Sequence, residues 1–573
     1  MSHADPLATR YLSEDLVESS MLLPNTTAKP HVKAQYNRVA SALIFLFPAL
    51  GGLLFGYDIG ATSAVVAQLT SKTYSGTKWS ASLADSSVLQ GVVTSIAMFG
   101  AMLGSTTCFQ IADDLGRRRT LIIASCFFCV GAVIEALSGK AQWNAEAGIS
   151  VLLIGRLVYG YGCGFAMHGA PAYIGEMAPS AIRGLLVSLK EAFIVLGMVF
   201  GYTIGYMYSE TVGGWRYTYF MAVPVSICMF CGMYYLPYSA RWLALKGRVD
   251  EARTALQFVT PNVPEADLQA IREVADKAAI SQLSQASDWS RLSAPSVWPA
   301  LVAGVGLVLL QQVTGQPSVL YYADSIFEDV GIDRFASIGV SIFKLFATLF
   351  ATFTVDNYGR KLLLYIGCSL MLVALLMLGV AFMFPYTSAA QCHTYSSQDI
   401  CPATCSWVDS CLTDCVTSGY DDDSCECCGV VRINSQKAVI LTSLFIYIGG
   451  YQVGFGPISW LLISEIFPLE VRGKAVSIAV VTNFFWNTVV SFLFPIEFDL
   501  IGSSATFFLF AFVLAWGIYF IFLKVPETKG LTLEEIEEFF LRLAGVGEKV
   551  RGEGLDEKSL AREKEQVKME PVI

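Results

Sequence analysis

Asp58 and Arg156 stand inside long apolar runs, GGLLFGYDIGATSAVV and VLLIGRLVYGYGCGF. An ionisable group there costs several kcal/mol unless it is paired or hydrated, which makes each a candidate for function. Asp58 lies about nine residues and Arg156 about seven from the outer ends of their helices, roughly 10–14 Å deep at ~1.5 Å per residue. A pair is within reach. A neighbouring guanidinium favours the ionised carboxylate, and loosening that contact lets the carboxylate take a proton. The other reading is a structural ion pair that never opens. Glu191 and Lys344 also fall within apolar segments.

The elements that must hold these groups follow from composition. Only 15% of the 573 residues are charged and 54% are hydrophobic, against about 25% charge in a soluble chain. Apolar runs long enough to cross ~30 Å of hydrocarbon cover 41–67, 86–109, 119–138, 149–170, 184–208, 216–236, 297–327, 335–355, 361–384, 437–464, 473–497 and 504–524. Twelve membrane helices are predicted. Residues 1–40 are a polar tail without a signal-peptide segment, so helix 1 is expected to start insertion. A soluble enzyme, a nucleic-acid binder and a fibrous protein are excluded, and no nucleotide loop, metal constellation or nucleophile–base pair is visible. The net charge of −10 sits at the periphery.

Lys and Arg set the orientation. Arg117, Arg118, Arg119, Arg183, Arg360, Lys361, Arg472 and Lys474 fall in one set of loops together with the basic residues of 238–296. Both termini and that linker (237–296, with amphipathic stretches at 251–259 and 268–279) are therefore expected in the cytosol, with the last tail at 525–573.

The two halves, 41–236 and 297–524, repeat each other. Asp113-x-x-Gly116-Arg117-Arg118 recurs 243 residues later as Asp356-x-x-Gly359-Arg360-Lys361. Glu176 with Arg183-Gly184 recurs 289 later as Glu465 with Arg472-Gly473, and Pro237 as Pro526. The difference places an insertion in the 386–436 loop. Six-plus-six repetition implies an all-α membrane protein of two bundles, related by a pseudo-two-fold axis and rocking about a central site.

GGLLFGYDIG, DDLGRRR, GRLVYGYGCG, PAYIGEMAPSAIRG, QQVTGQPSVLYY, GPISWLLISEIFPLEVRGKA and PETKG together resemble the sugar-porter branch of the major facilitator superfamily. SLKEAFIVLGM and QQVTGQPSVLYY are most similar to its plant vacuolar-glucose-transporter and bacterial xylose–proton-symporter subgroup. The resemblance implies alternating-access transport of a monosaccharide, with the proton as coupling ion and no other cofactor, by a monomer in the lipid bilayer without nucleic-acid partners. It assigns Asp58 as proton carrier and Arg156 as its tuner. A passive uniporter and a transport-inactive sensor are the other classes it admits.

By the same resemblance the sugar site draws on Gln311, Gln312 and Tyr321 of helix 7, Trp460 of helix 10 and Asn483 and Asn487 of helix 11, with Phe55 and Glu191 from the first half. Amides and hydroxyls would bind the sugar's rim and aromatics its C–H face; for Trp460 and Tyr321 plain packing is the other reading. Adjacent Gln311 and Gln312 can share one direction only if helix 7 breaks, and Gly315 and Pro317 supply a break. Pro317 replaces a usual Asn, a loss that Gln316 or Ser318 could offset. Glu191 and Lys344 replace the usual Gln and Asn on helices that adjoin across the bundles. They read either as an interdomain salt bridge or as a sugar ligand and a snorkelling lysine.

Asp113, Arg117, Arg118, Glu176, Arg183, Arg241, Asp356, Arg360, Glu465 and Arg472 sit at cytosolic helix ends and form a gate network or a positive-inside anchor. PYSARWL carries Tyr238 where relatives carry an acid, which predicts a weaker network in the first half. Gly197, Gly201 and Gly205 read as a helix-packing stripe. His168 is a lone histidine.

Fifteen Cys divide into seven in the spans, expected as core thiols, and eight in the external insertion: Cys392, Cys401, Cys405, Cys411, Cys415, Cys425, Cys427 and Cys428. An even set on that side implies four disulfides, with metal binding as the other reading. Glu18-Ser-Ser-Met-Leu22-Leu23 is similar to an acidic dileucine sorting signal, which leaves the plasma membrane and a vacuolar or lysosomal membrane both open.

Overall fold

The computed structural model describes residues 36–139, 145–179, 182–261, 297–330, 332–383, 405–408, 427–430, 434–467 and 471–529, with a few isolated positions besides. The first six crossings are α1 (Arg38–Thr70), α2 (Ser87–Leu115), α3 (Arg117–Leu137), α4 (Ala145–Met177), α5 (Arg183–Tyr208) and α6 (Trp215–Tyr235). The second six are α7 (Trp298–Tyr321), α8 (Phe335–Tyr358), α9 (Arg360–Met383), α10 (Asn434–Val453 continued by Phe455–Ile466), α11 and α12. The last two form one 53-residue helical run, Arg472–Lys524. At ~1.5 Å per residue this is more than twice a hydrocarbon core. Gly502, at φ 82°, breaks it into two crossings.

In the first bundle α3 packs on α4, α1 on α5 and α2 on α4; in the second α9 packs on α10. The bundles meet through α2 against α11 and α5 against α8, as expected for helices 5 and 8. Apolar burial gives little drive between helices in lipid, so close approach depends on small residues. A Cβ on Gly197 would lie 2.0 Å from the Leu53 carbonyl, and on Gly201 2.5 Å from that of Tyr57. The glycine stripe of α5 is packing, and it seats α1 one turn from Asp58.

The repeated motif glycine has its own cause. Gly116 (φ 81°) and Gly359 (φ 88°) turn the chain between α2 and α3 and between α8 and α9, in the left-handed region that favours glycine. The Trp242 ring lies against Gly116, and its indole N–H donates to the Asp113 carbonyl at 2.8 Å.

The crossings are all helical, as expected; the insertion adds a short ribbon. Within the insertion β1 (Cys405–Val408) pairs antiparallel with β2 (Cys427–Val430), Trp407 opposite Cys428. The thiols of the eight loop cysteines, the sorting-like segment and nearly all of 268–279 lie outside the described residues. The seven span cysteines are free thiols.

Several contacts join the bundles in the middle and at the face opposite the arginine motifs. Tyr202 donates to the Leu320 carbonyl (2.5 Å), the Asp324 amide to Ser63 Oγ (3.1 Å), and Tyr206 meets Phe335 edge-on. The basic-face ion pairs Arg117–Asp113, Arg117–Glu176 and Arg360–Glu465 each lie within one bundle. The structure is closed on one side.

Candidate functional site

Asp58 and Arg156 meet. Asp58 lies twelve residues from the end of α1 and Arg156 eleven from the start of α4, so both sit at one depth. Arg156 Nη1 donates to Asp58 Oδ1 (3.1 Å) and Nη2 to Oδ2 (3.4 Å). Nε donates to the Val93 carbonyl (2.6 Å), Nη1 also to Tyr219 Oη (3.0 Å) and Nη2 to the Thr94 carbonyl (3.4 Å). All five guanidinium N–H groups are used. Thr62 Oγ1 donates to Asp58 Oδ1 at 3.4 Å. The side chains are 1% and 0% exposed, so the pair holds its charges out of water by coordination alone.

The polar wall lies in the second bundle. Gln312 Nε2 donates to Asn483 Oδ1 (2.6 Å), and Asn487 Nδ2 donates to Gln312 Oε1 (3.1 Å). α7 and α11 thus share a continuous amide trio. Gln311 faces α10 instead, donating to the Phe455 carbonyl at 3.2 Å. The two glutamines diverge because α7 is regular through Val313. The break follows them, at Gly315 (φ 91°). Gln311 Oε1 and Tyr321 Oη are buried without a partner, and such orphaned polar atoms mark places for a ligand or water. Phe55 is half-buried and edge-on to Phe484, and Trp460 is half-buried. Ser318, beside Pro317, donates its hydroxyl to the Val490 carbonyl (3.4 Å).

Glu191 and Lys344 form no salt bridge. The buried Lys344 ammonium lies 3.6 Å from Met198 Sδ and 5.7 Å from the centre of the Tyr451 ring. The closed side draws α5 and α8 together at Met198, one helical turn or more from Glu191, so the two charges act on each other only through space.

At the basic face three ion pairs lie within one bundle each. Arg117 joins Asp113 (2.7 Å) and Glu176 (3.1 Å), and Ser239 donates to Glu176. Arg360 joins Glu465 (3.0 Å), and Thr528 donates to Glu465 (2.6 Å). Ser239 and Thr528 are also 289 residues apart, so the repeat extends to a hydroxyl. It breaks one residue earlier, at Tyr238 and Glu527. Tyr238 receives Arg118 (4.7 Å) and Arg119 (5.6 Å) on its ring. Glu527 accepts from the Arg360, Lys361 and Lys529 amides, each at 3.0 Å. Arg183 donates to the Ala178 carbonyl and Arg472 to that of Phe467 (3.3 and 3.0 Å), while Arg241 is exposed. The Asp356 side chain lies outside the described atoms, and His168 is half-buried.

Partial burial raises the Glu527 carboxyl, but the backbone donors outweigh it and hold the group below its usual range. A depressed folded pKa stabilises at any pH above the unfolded value, about 4.3, and the contribution is lost as pH falls through the folded value. Glu527→Gln should therefore lower the melting temperature of purified protein at pH 7. That difference should shrink on acidification below pH 4, and a gap constant across pH would contradict it.

Sequence reasoning passed over Glu135 of α3, although the rule that singled out Asp58 applies to it. It missed Tyr219, because a tyrosine in a span carries no charge to notice.

This arrangement has relatives. The family model described as sugar (and other) transporter matches residues 44–408 and 411–540. D-xylose-proton symporter-like 2 of Arabidopsis thaliana is 40% identical over 88% of this chain and 92% of its own. Glucose transporter GlcP of Staphylococcus epidermidis is 30% identical, over 86% and 96%. The proton:xylose symporter XylE bound to 6-bromo-6-deoxy-D-glucose superposes with a TM-score of 0.66 at 27% identity, covering 88% of this chain and all of that one. The inward-open form of XylE from E. coli gives 0.65 at 27%, over 87% and 99%. With a family model spanning nearly all the membrane helices and a relative at 40% identity along both chains, this protein belongs to the sugar transporter family of the major facilitator fold and is not an enzyme.

Proposed function

We propose that this protein is a proton-coupled monosaccharide symporter working by alternating access. The observation that carries this is the sealed Asp58–Arg156 pair in the first bundle, with the Gln312–Asn483–Asn487 trio in the second. An ionised pair this deep is stable only while its geometry holds, and tilting the bundles would change that geometry. The likeness to proteins named xylose–proton symporters supports the same reading. The basic face is taken as cytosolic from the Lys and Arg asymmetry, with both termini on that side. The closed opposite face then makes the present conformation inward-facing. Both halves of the pathway lie on one chain, so a monomer suffices. The eight loop cysteines form disulfides on the outer side, where the β1–β2 ribbon brings the Cys405 strand alongside that of Cys427 and Cys428.

Uptake of labelled D-xylose and D-glucose by purified protein in liposomes, with and without an imposed pH gradient, tests this. Accumulation above equilibrium with the gradient is the expected result. Equilibration alone indicates a facilitator, and no uptake a sensor.

A further inference from the structure

Glu135 of α3 is a second buried carboxylate beside Arg156. Its residue is 1% exposed and its Oε1 has no hydrogen-bond partner. Its side chain packs on Gly155, the residue before Arg156: a Cβ there would lie 2.8 Å from Glu135 Cγ. The charges of Arg156 and Asp58 both act on it. The titratable groups facing it are Asp58 and Tyr57 from α1, Arg156, Tyr159 and Cys163 from α4, and Tyr219 from α6. From α2 the Val93 and Thr94 carbonyls reach the cluster. Arg156 is the one cation among these.

A simple Asp–Arg couple has a weakness as a proton carrier. When the carboxylate takes a proton, the guanidinium is left in a dry site without a counter-charge, which opposes loading. Here a second acid waits on the adjacent helix with an oxygen unused. We propose that Glu135 is the standby counter-ion of Arg156, taking over its charge when Asp58 is protonated. For this exchange, in which Asp58 gains one proton from one side of the membrane and releases it to the other, Glu135 must stay ionised throughout. It is a positioning residue for the proton step and touches no sugar. The inference rests on the proton-exchange reading of Asp58.

By like-charge interaction an ionised Glu135 makes Asp58 easier to protonate, so its neutral replacement makes loading harder. Initial D-xylose uptake by proteoliposomes should be measured against external pH for the wild type, Glu135→Gln and Glu135→Asp. For Glu135→Gln the midpoint should move about one pH unit to the acid side, a tenfold higher proton concentration at half-maximal rate. Glu135→Asp, which keeps the charge, should stay close to the wild type. A Glu135→Gln profile superimposed on the wild type, or displaced to the alkaline side, overturns the proposal. Glu135→Thr serves as a second neutral variant if the amide is not accommodated. Folding of Glu135→Asp but of neither neutral variant shows a structural acid and overturns it too. A wild-type profile flat in pH removes the symport reading itself, before Glu135 is put to the question.

Discussion

Asp58→Asn abolishes sugar accumulation against a gradient. For one proton per sugar, each pH unit of gradient can sustain up to about a tenfold inside-to-outside ratio; the variant should settle near unity. Asn is isosteric and can still accept from Arg156 and Thr62, the partners of Asp58 in the structure, but it cannot carry a proton. Removing one member of a buried ion pair usually costs about 3–5 kcal/mol, because the other charge is left alone. Glu135 lies close enough to Arg156 to soften that cost, so the variant should fold. The measurement is the steady-state ratio of labelled D-xylose in proteoliposomes, beside counterflow exchange, which needs no net proton movement and should fall far less. Undiminished accumulation by Asp58→Asn would place the coupling proton elsewhere.

The pairing was legible in the sequence because hydrocarbon leaves an ionisable residue few options. Two opposite charges at matching depth, on helices whose directions are fixed by the arginine loops, have little to do but meet. Their depth was underestimated because apolar runs end before helices do. Gln68 shows why: it is polar, yet it is buried near the end of α1 and donates to the Tyr208, Ser209 and Thr211 carbonyls at 2.8–3.2 Å. A side chain that completes the end of a neighbouring helix has the composition of a loop and the burial of a core.

What stayed hidden depended on the conformation or on a third dimension. Glu191 and Lys344 carry complementary charges, but whether they touch depends on how α5 and α8 slide, and here Met198 and Tyr451 receive the lysine. Divergence of Gln311 and Gln312 toward α10 and α11 required knowing that α7 breaks after them. The repeat, by contrast, was nearly sufficient for the basic face. An offset of 289 places Ser239 against Thr528 and exposes Tyr238 as the point where a carboxylate cap gives way to stacked guanidinium groups.

Gln312→Ala should be the most damaging change in the second bundle. Gln312 is the middle of the amide trio, accepting from Asn487 and donating to Asn483. Its loss removes a donor and an acceptor from the polar wall and leaves one atom of each asparagine without its present partner. Each unsatisfied buried group costs about 1–3 kcal/mol. Once those asparagines also lose their fixed orientation toward a sugar's hydroxyls, the combined effect on binding is roughly 100-fold or more in Kd. Gln311→Ala should cost less, because Gln311 donates to the Phe455 carbonyl and holds no other amide in place. The comparison is a pair of transport KM values for D-xylose and D-glucose, with melting temperatures to show that both variants fold. A Gln312→Ala KM within threefold of the wild type would mean that the trio ties α7 to α11 and does not bind sugar.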